Sequence, residues 1–264
     1  MTSPVYMTTS WDDGHPADLR VAALLTKYGI AGTFYVPEAT DRDTLSAVQL
    51  RELASAFEIG AHTLHHVDLT RVANDIAWQE IVGSKSWVED HTGVPCVCFC
   101  PPIGHYAGVH IQMVRRAGYL GLRTTEFLSL DVPRPQAGLL LMPTTVQAFP
   151  HGLVSFTRNA VKRFALAQLW RYVVHGCPAE WPTLAELLLH DAVVHGGVFH
   201  LWGHSWEIQD LRQWQRLDDV LRFMGSLAYR IPAVTNGQLC RLFAPLMAAS
   251  DQPAHATRAA SARG

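Results

Sequence analysis

Runs of lysine and arginine are missing from this sequence. Its 21 Lys and Arg nearly balance 23 Asp and Glu, for a formal net charge of −2, so no electrostatic footprint for nucleic acid or an anionic membrane is written in it. Charged residues make up only 17% of the 264, while 48% are hydrophobic, enough to bury a large core in a single α/β domain. Even so, no apolar stretch reaches the length of a membrane span. The opening MTSPVYMTTSW has neither a basic n-region nor an apolar h-region, and the expectation is a cytoplasmic protein. Cysteines are few and odd in number, five in all, which suits a reducing compartment. Three of them, Cys96, Cys98 and Cys100, alternate in PCVCFCPP and are predicted to share one face of a strand. No second cysteine pair stands at ligand spacing, so they read as small buried hydrophobes rather than a thiolate zinc site.

What is present is alternation. VYMTTSW, GTFYVP, FEIGAHT, PCVCFC, YLGLRTT, LLLMPTTVQAF and GGVFHLWGH read as strands, rich in β-branched and aromatic residues and bounded by Gly or Pro. Helical patterns fall between most of them: ADLRVAALLTKYG closing at Gly29, TLSAVQLRELASA behind a Thr or Ser cap, and ANDIAWQEIVGSKSWVEDHTG closing at Gly93. Further helices are predicted at VHIQMVRRAGY, SFTRNAVKRFALAQLWRYVVH and LRQWQRLDDVLRFMGSLAYR. Such a pattern specifies a mostly parallel sheet covered by helices, open or closed into a barrel, with its site at the strand ends. There is no internal repeat and no linker. The domain is expected to span residues 1–246, with the Ala-, Ser- and Arg-rich stretch 247–264 disordered.

Two adjacent carboxylates, Asp12 and Asp13, enter a Gly-Pro turn in TTSWDDGHPAD. Burying both is costly unless a cation neutralises one or a proton is taken up. Downstream, GAHTLHHVDLT carries His62, His65 and His66. On a helical turn the spacing of His62 and His66 would place both imidazoles on one side, with His65 elsewhere. Two histidines and one aspartate leave a tetrahedral zinc with an open fourth position for water, the mark of a catalytic site. That accounts for Asp13 and frees Asp12 for another task. In GGVFHLWGHSWE the period-two rule sets His200, Trp202 and His204 on one face of a strand. His200 reads as a hydrogen-bonded core residue. Glu207 either orients His204 or faces solvent, and Trp202 and Trp206 serve as packing or as a platform for a pyranose face.

These residues resemble the polysaccharide deacetylase family, the NodB homology domain of carbohydrate esterase family 4. SWDDG is similar to its first motif, T-F-D-D-G; HTLHH matches its second, H-[ST]-x-x-H; LWGH, Leu201 to His204, matches the late L-x-x-H. The resemblance covers about residues 5 to 243. It implies a distorted (β/α) barrel with about seven repeats and assigns roles: Asp13, His62 and His66 to a divalent metal, zinc first, Asp12 as general base and His204 as general acid. It also implies an oxyanion donor in the backbone N–H of Ile103 and substrate contacts at Pro102 and Trp202. The partner implied is a carbohydrate carrying an N-acetylhexosamine. The third motif, R-x-P-[YF], departs from the family: Cys100 stands at the arginine and Ile103 at the aromatic, and cysteine does not replace a fixed positive charge. His105 and Tyr106 are the candidates for the lost wall, and Asp131 is nearest to the fourth motif's aspartate, without its tryptophan. The departures keep open a metal-dependent hydrolase of cyclic imides or ureides on the same fold. An inactive carbohydrate-binding relative and a purely structural metal domain rank below it.

Overall fold

The computed structural model describes residues 4–151, 166–178 and 180–250. Nine strands form one curled sheet: β1 (Val5–Asp12), β2 (Thr33–Val36), β3 (Glu58–Ala61), β4 (Cys98–Phe99), β5 (Gly121–Arg123), β6 (Arg134–Gln136), β7 (Leu139–Met142), β8 (Val146–Gln147) and β9 (Gly197–His204). Their order is β6-β7-β5-β4-β3-β2-β1-β9-β8, every neighbouring pair parallel except β6 with β7. Helices α1 (Asp18–Tyr28), α2 (Ala47–Ala54), α3 (Asn74–Thr92) and α4 (Gly108–Arg116) alternate with the first five strands. The expected caps are in place: Gly29 and Gly93 end α1 and α3 in the left-handed region, and Ser46 forms a capping box with Gln49. Then come α5 (Leu166–Val174), α6 (Trp181–His195), α7 (Ser205–Asp210), α8 (Trp214–Ser226), α9 (Asn236–Phe243) and α10 (Pro245–Ser250). Among the described residues no helix is long and apolar enough to cross a membrane.

Regular alternation holds as far as β5 and then loosens, which corrects several expectations. LLLMPTTVQAF is two strands, because Pro143 has no N–H to give a ladder and the chain crosses there from beside β5 to beside β9, at opposite edges of the sheet. Thr144 and Thr145 bridge those edges by donating N–H to Glu126 O (3.0 Å) and His200 O (3.0 Å). Helix α6 was not expected from the sequence. Packed against β9, β8 and α8, it buries Trp181, Leu184, Ala185, Leu188, Leu189 and Ala192 on one face, but Leu187, Val193 and Val194 outside that face blur the polar period that Thr183, Glu186 and His190 mark. Residues 155–165 of the expected helix before it lie outside the described residues, as does 251–264 of the expected tail; residues 247–250, expected to be disordered, continue α10.

Strand alternation sorts the sheet's two faces. Outward residues such as Trp11, Phe34, Ile59, Phe99, Leu141 and Phe199 pack under the helices in the main core. Inward, Tyr35, Cys98, Cys100, Leu140, Met142 and Val198 form a second cluster with Leu239 and Cys240 of α9, which closes the bottom of the curl. The three alternating cysteines therefore do not share a face. Only Cys98 and Phe99 are strand, and Cys96, before it, packs in the outer core with Val88 and Tyr119. Gly60 and Gly121 make the interior possible: a Cβ on either would collide with the Tyr35 ring or the Cys240 thiol.

Candidate active site

Continued to the carboxyl ends of the strands, the same period of two brings Asp12 (β1), Arg123 (β5), Trp202 and His204 (β9), and His62, just beyond β3, into one cleft of about 230 Å³. Asp13, His66, Pro101, Ile103, Gly104, Thr125 and Trp206 complete it. Strain is concentrated here. Of the non-glycine residues with positive φ, Asp13 (80°), Thr63 (60°), His66 (53°) and Ile103 (60°) lie in or beside the cleft, a sign that the surroundings hold them against their preference.

Asp13 and the two histidines meet as the spacing suggested, by a different route. Residues 62–66 are an irregular loop rather than a helical turn, and positive φ at Thr63 and His66 turns the chain back. Glu80 of α3, itself buried, fixes that loop. Its carboxylate accepts the N–H groups of Leu64 and His65 (2.9 Å each) and binds His65 Nδ1 at 2.7 Å, which draws His65 away from the cleft. His62 Nδ1 donates to Cys100 O (2.7 Å), leaving its Nε2 as an acceptor 3.4 Å from Asp13 Oδ1. His66 Nε2 lies 3.2 Å from the same oxygen. That oxygen is buried and has no hydrogen-bond partner, so three Lewis bases face a common point without satisfying one another. Such a donor set fits a divalent ion, and the second-sphere bond from His62 to a carbonyl is the usual way of holding a ligand imidazole. Burial works against the Asp13 charge; only if the His62 and His66 nitrogens that face it carried protons would they, with the charge on His204, hold the carboxyl well below the usual range. Asp12, His62 and Cys100 also approach one another. There, however, burial holds the Cys100 thiol protonated and Asp12 has another partner.

That partner is Arg123, which sequence reading missed. Fully buried on β5, its Nη2 donates to Asp12 Oδ2, while Asp12 Oδ1 stays unpartnered. The guanidinium lies 4.6 Å from the Trp202 ring and 5.5 Å from Tyr35, both aromatic faces turned to a cation. Burial opposes its charge, and the Asp12 carboxylate more than offsets this, so the group is held firmly protonated. The positive charge absent at Cys100 thus comes from the neighbouring strand, and Cys100 Sγ keeps only a weak contact at 3.9 Å with Asp12. One signal was available: a single arginine ending an apolar strand at an inward position.

Across the cleft, His204 Nε2 stands 3.9 Å from Asp13 Oδ2, and its Nδ1 binds Glu207 Oε2 at 2.7 Å. Gln147 Nε2 donates to the same Glu207 oxygen (2.9 Å). Burial disfavours the imidazolium, but the Glu207 hydrogen bond and the Asp13 charge push His204 above the ordinary histidine value. Asp131, the sequence candidate for that supporting carboxylate, instead accepts from Ser129 Oγ (2.8 Å) and does not line the cleft. His200 is structural: its Nδ1 faces Pro143 O (3.1 Å), its Nε2 meets Ser10 Oγ (2.9 Å), and burial with the nearby Arg123 charge pushes it down to about 3.

Ile103 combines φ 60° and ψ 0° with 63% exposure, while Gly104 and His105 make the turn's backbone bonds to Pro101 O and Pro102 O. Pro102, expected to contact substrate, is buried and does not line the cleft, whereas its neighbour Pro101 does. Trp202 lines the cleft but is only 6% exposed, much of its face given to Arg123. His105 turns to Asp68 (2.9 Å), and neither it nor Tyr106 lines the cleft.

A polysaccharide deacetylase family model matches residues 2–122, the stretch of regular alternation that ends in β5. Among solved structures, a polysaccharide deacetylase from Mycobacterium smegmatis, described as putative in its own naming, superposes with a TM-score of 0.65 at 15% identity, over 98% of this chain and 99% of that one. The carbohydrate esterase domain of a multidomain xylanase from the hindgut metagenome of Trinervitermes trinervoides superposes at 0.53, with 13% identity over 91% of each chain. A pseudoenzyme of carbohydrate esterase family 4 from Bacillus anthracis superposes at 0.55, with 13% identity over 91% of this chain and 66% of that one. At such identities the likeness shows the fold. No match was found among the curated proteins.

Proposed function

From a chain that resembles the polysaccharide deacetylases in its motifs, in its match over residues 2–122 and in its fold, we propose a metal-dependent hydrolase that removes the N-acetyl group from an N-acetylhexosamine in an oligosaccharide or glycan precursor. The observation that carries this reading is the division of labour between the two carboxylates. Asp13 Oδ1 is unpartnered toward His62 and His66, while Asp12 is held by Arg123 with Oδ1 free. A divalent ion held by Asp13, His62 and His66, with zinc the best fit, would supply Lewis acidity to the acetamide carbonyl and lower the pKa of a water.

The chain's own residues do the rest. Asp12 Oδ1 takes the proton of the attacking water as its oxygen bonds to the carbonyl carbon. The carbonyl oxygen, gaining charge, accepts the Ile103 N–H. The C–N bond then breaks as His204 Nε2–H passes its proton to the amine, which is too poor a leaving group without it. Acetate and a free amino sugar result. Five free cysteines suit a reducing compartment, and the proposal favours a cytoplasmic amino sugar over a cell-wall polymer.

A cleft of about 230 Å³ is small beside the roughly 300–1,000 Å³ of drug-sized sites, which suits a single ring at the reacting position. The same size supports the second reading, hydrolysis of a cyclic imide or ureide, with Arg123 Nε and Nη1 as unpartnered donors. An inactive binding protein is disfavoured because each proposed role has its side chain in place. Metal analysis of wild type and His62→Ala, with acetate release from N-acetylglucosamine oligosaccharides before and after chelation, separates the readings. Stoichiometric metal lost in the variant with chelator-sensitive acetate supports deacetylation; metal without acetate favours the cyclic amide; no metal in either protein removes both.

A further inference from the structure

Trp206 has no role in the chemistry above, yet it touches the residue on which the metal reading depends. Helix α7 starts directly after His204, so its second residue is delivered into the same cleft. The indole Nε1–H donates to Asp13 Oδ2 at 2.8 Å. An indole has a single donor and no acceptor, so this bond fixes how the carboxylate is turned. With Oδ2 engaged, Oδ1 is the oxygen left toward His62 Nε2 (3.4 Å) and His66 Nε2 (3.2 Å).

Oδ2 is also the oxygen nearest His204 Nε2, at 3.9 Å. If the indole did not occupy it, the imidazole could close that gap. A histidine bound to Asp13 would spend its donor there, and Asp13 would turn away from the other two histidines. The Trp206 and His204 rings lie side by side, centroids 5.4 Å apart and planes at 37°, so each limits the other's movement. From the outer side Arg42 places its guanidinium 3.6 Å above the indole, and Asp210 of the same helix stands 3.9 Å from Arg42 Nη1. The indole is thereby held between the acid histidine and a stacked cation.

We propose that Trp206 is a positioning residue that keeps Asp13 turned toward His62 and His66 and apart from His204, with Arg42 as its brace. The inference rests on the reading of Asp13, His62 and His66 as metal ligands. The test is zinc affinity, measured by competition with a chromophoric chelator on the full chain. Outer partners of metal ligands commonly contribute about 10–100-fold in affinity, so Trp206→Phe is expected to weaken zinc binding by that factor, and Arg42→Ala, which keeps the N–H bond, by less. Because Phe also leaves space, a second variant carries 3-benzothienylalanine at position 206. It retains the bicyclic shape, lacks only the N–H, and is expected to bind as weakly as Trp206→Phe. Wild type binding one zinc with the benzothienyl variant equally tight would overturn the proposal while leaving the metal site standing. Wild type binding no zinc would overturn the ligand assignment itself, and this inference with it.

Discussion

Two buried polar clusters lie inside the curl, one at each end. At the amino-terminal end of the strands Thr8 Oγ1 donates to Asn236 Oδ1 (2.9 Å), Asn236 Nδ2 to Tyr35 OH (2.8 Å), Asn236 N–H to Thr33 Oγ1 (2.9 Å), and both Thr33 Oγ1 (2.7 Å) and Gly237 N–H (2.8 Å) to Glu58 Oε2. That set docks the first turn of α9 and spends its donors and acceptors on one another. At the carboxyl end Asp12 Oδ1, Asp13 Oδ1, Arg123 Nε and Nη1, and Trp202 Nε1 are buried without partners. Buried polar groups are nearly always satisfied, and an unpaired one costs about 1–3 kcal/mol, more when charged. The same barrel therefore builds a closed network where it needs to hold a helix and an open one where it needs to hold something else. Between these two clusters unsatisfied capacity, more than polarity, is what differs, although Trp11 Nε1, both Asp18 carboxylate oxygens and Ser205 Oγ, outside the cleft lining, are also buried without hydrogen-bond partners.

Asp12→Asn is the harshest test of the open cluster. Losing a general base costs about 10²- to 10⁴-fold in turnover, and bound metal, read by elemental analysis, should be unchanged. Full activity in this variant would make Asp12 only the counterion of Arg123. Removing that counterion's partner strikes stability instead: Arg123→Met leaves a buried carboxylate unpaired, expected to cost about 3–5 kcal/mol in denaturant unfolding. Adding Asp12→Leu should restore most of that stability without restoring turnover. At the closed end Asn236→Ala should lower unfolding free energy by about 1–3 kcal/mol and leave kcat and metal content as they are. A fall in kcat below its unfolding range would show the two ends to be coupled and break the distinction.

How much of this was legible in the sequence follows from the same distinction. Asp12, Asp13, His62 and His66 stood out because each ends or follows a strand and carries a chemistry that its immediate neighbours do not explain, and His204 was singled out by the resemblance of LWGH to a family motif. Arg123 was not, since its meaning lies in a partner 111 residues away and depends on which strands neighbour in the sheet. The His62–His66 loop was recognised by spacing and given the wrong backbone, because a one-dimensional period does not carry the sign of φ at Thr63 and His66. Helix α6 was missed because Leu187, Val193 and Val194 dilute the polar side that Thr183, Glu186 and His190 form, and β7 and β8 read as one strand because their separation is topological. Local pattern gave the elements up to β5 and, past it, β9 and α8; between β5 and β9 tertiary pairing decides.

Glu207 tests whether the open cluster is tuned as well as positioned, and its expected effect is the mildest. In the proposed reaction His204 carries a proton when the amine departs. Against the cost of burial, the Glu207 carboxylate and the Asp13 charge raise it above the ordinary histidine value, so activity should persist above pH ~6.5 and fall as pH rises through that raised value. Glu207→Gln keeps a hydrogen-bond acceptor for Nδ1 and the size of the side chain but removes the charge. The imidazolium then loses support, and the alkaline limb of the kcat profile should move toward acid. Each unit of movement lowers activity about tenfold at a pH above the limb, while well below it the two enzymes should converge. A uniform loss at every pH would instead show that Glu207 only orients the ring, since orientation is not titrated away, and a limb in its wild-type place would move the source of tuning to Asp13.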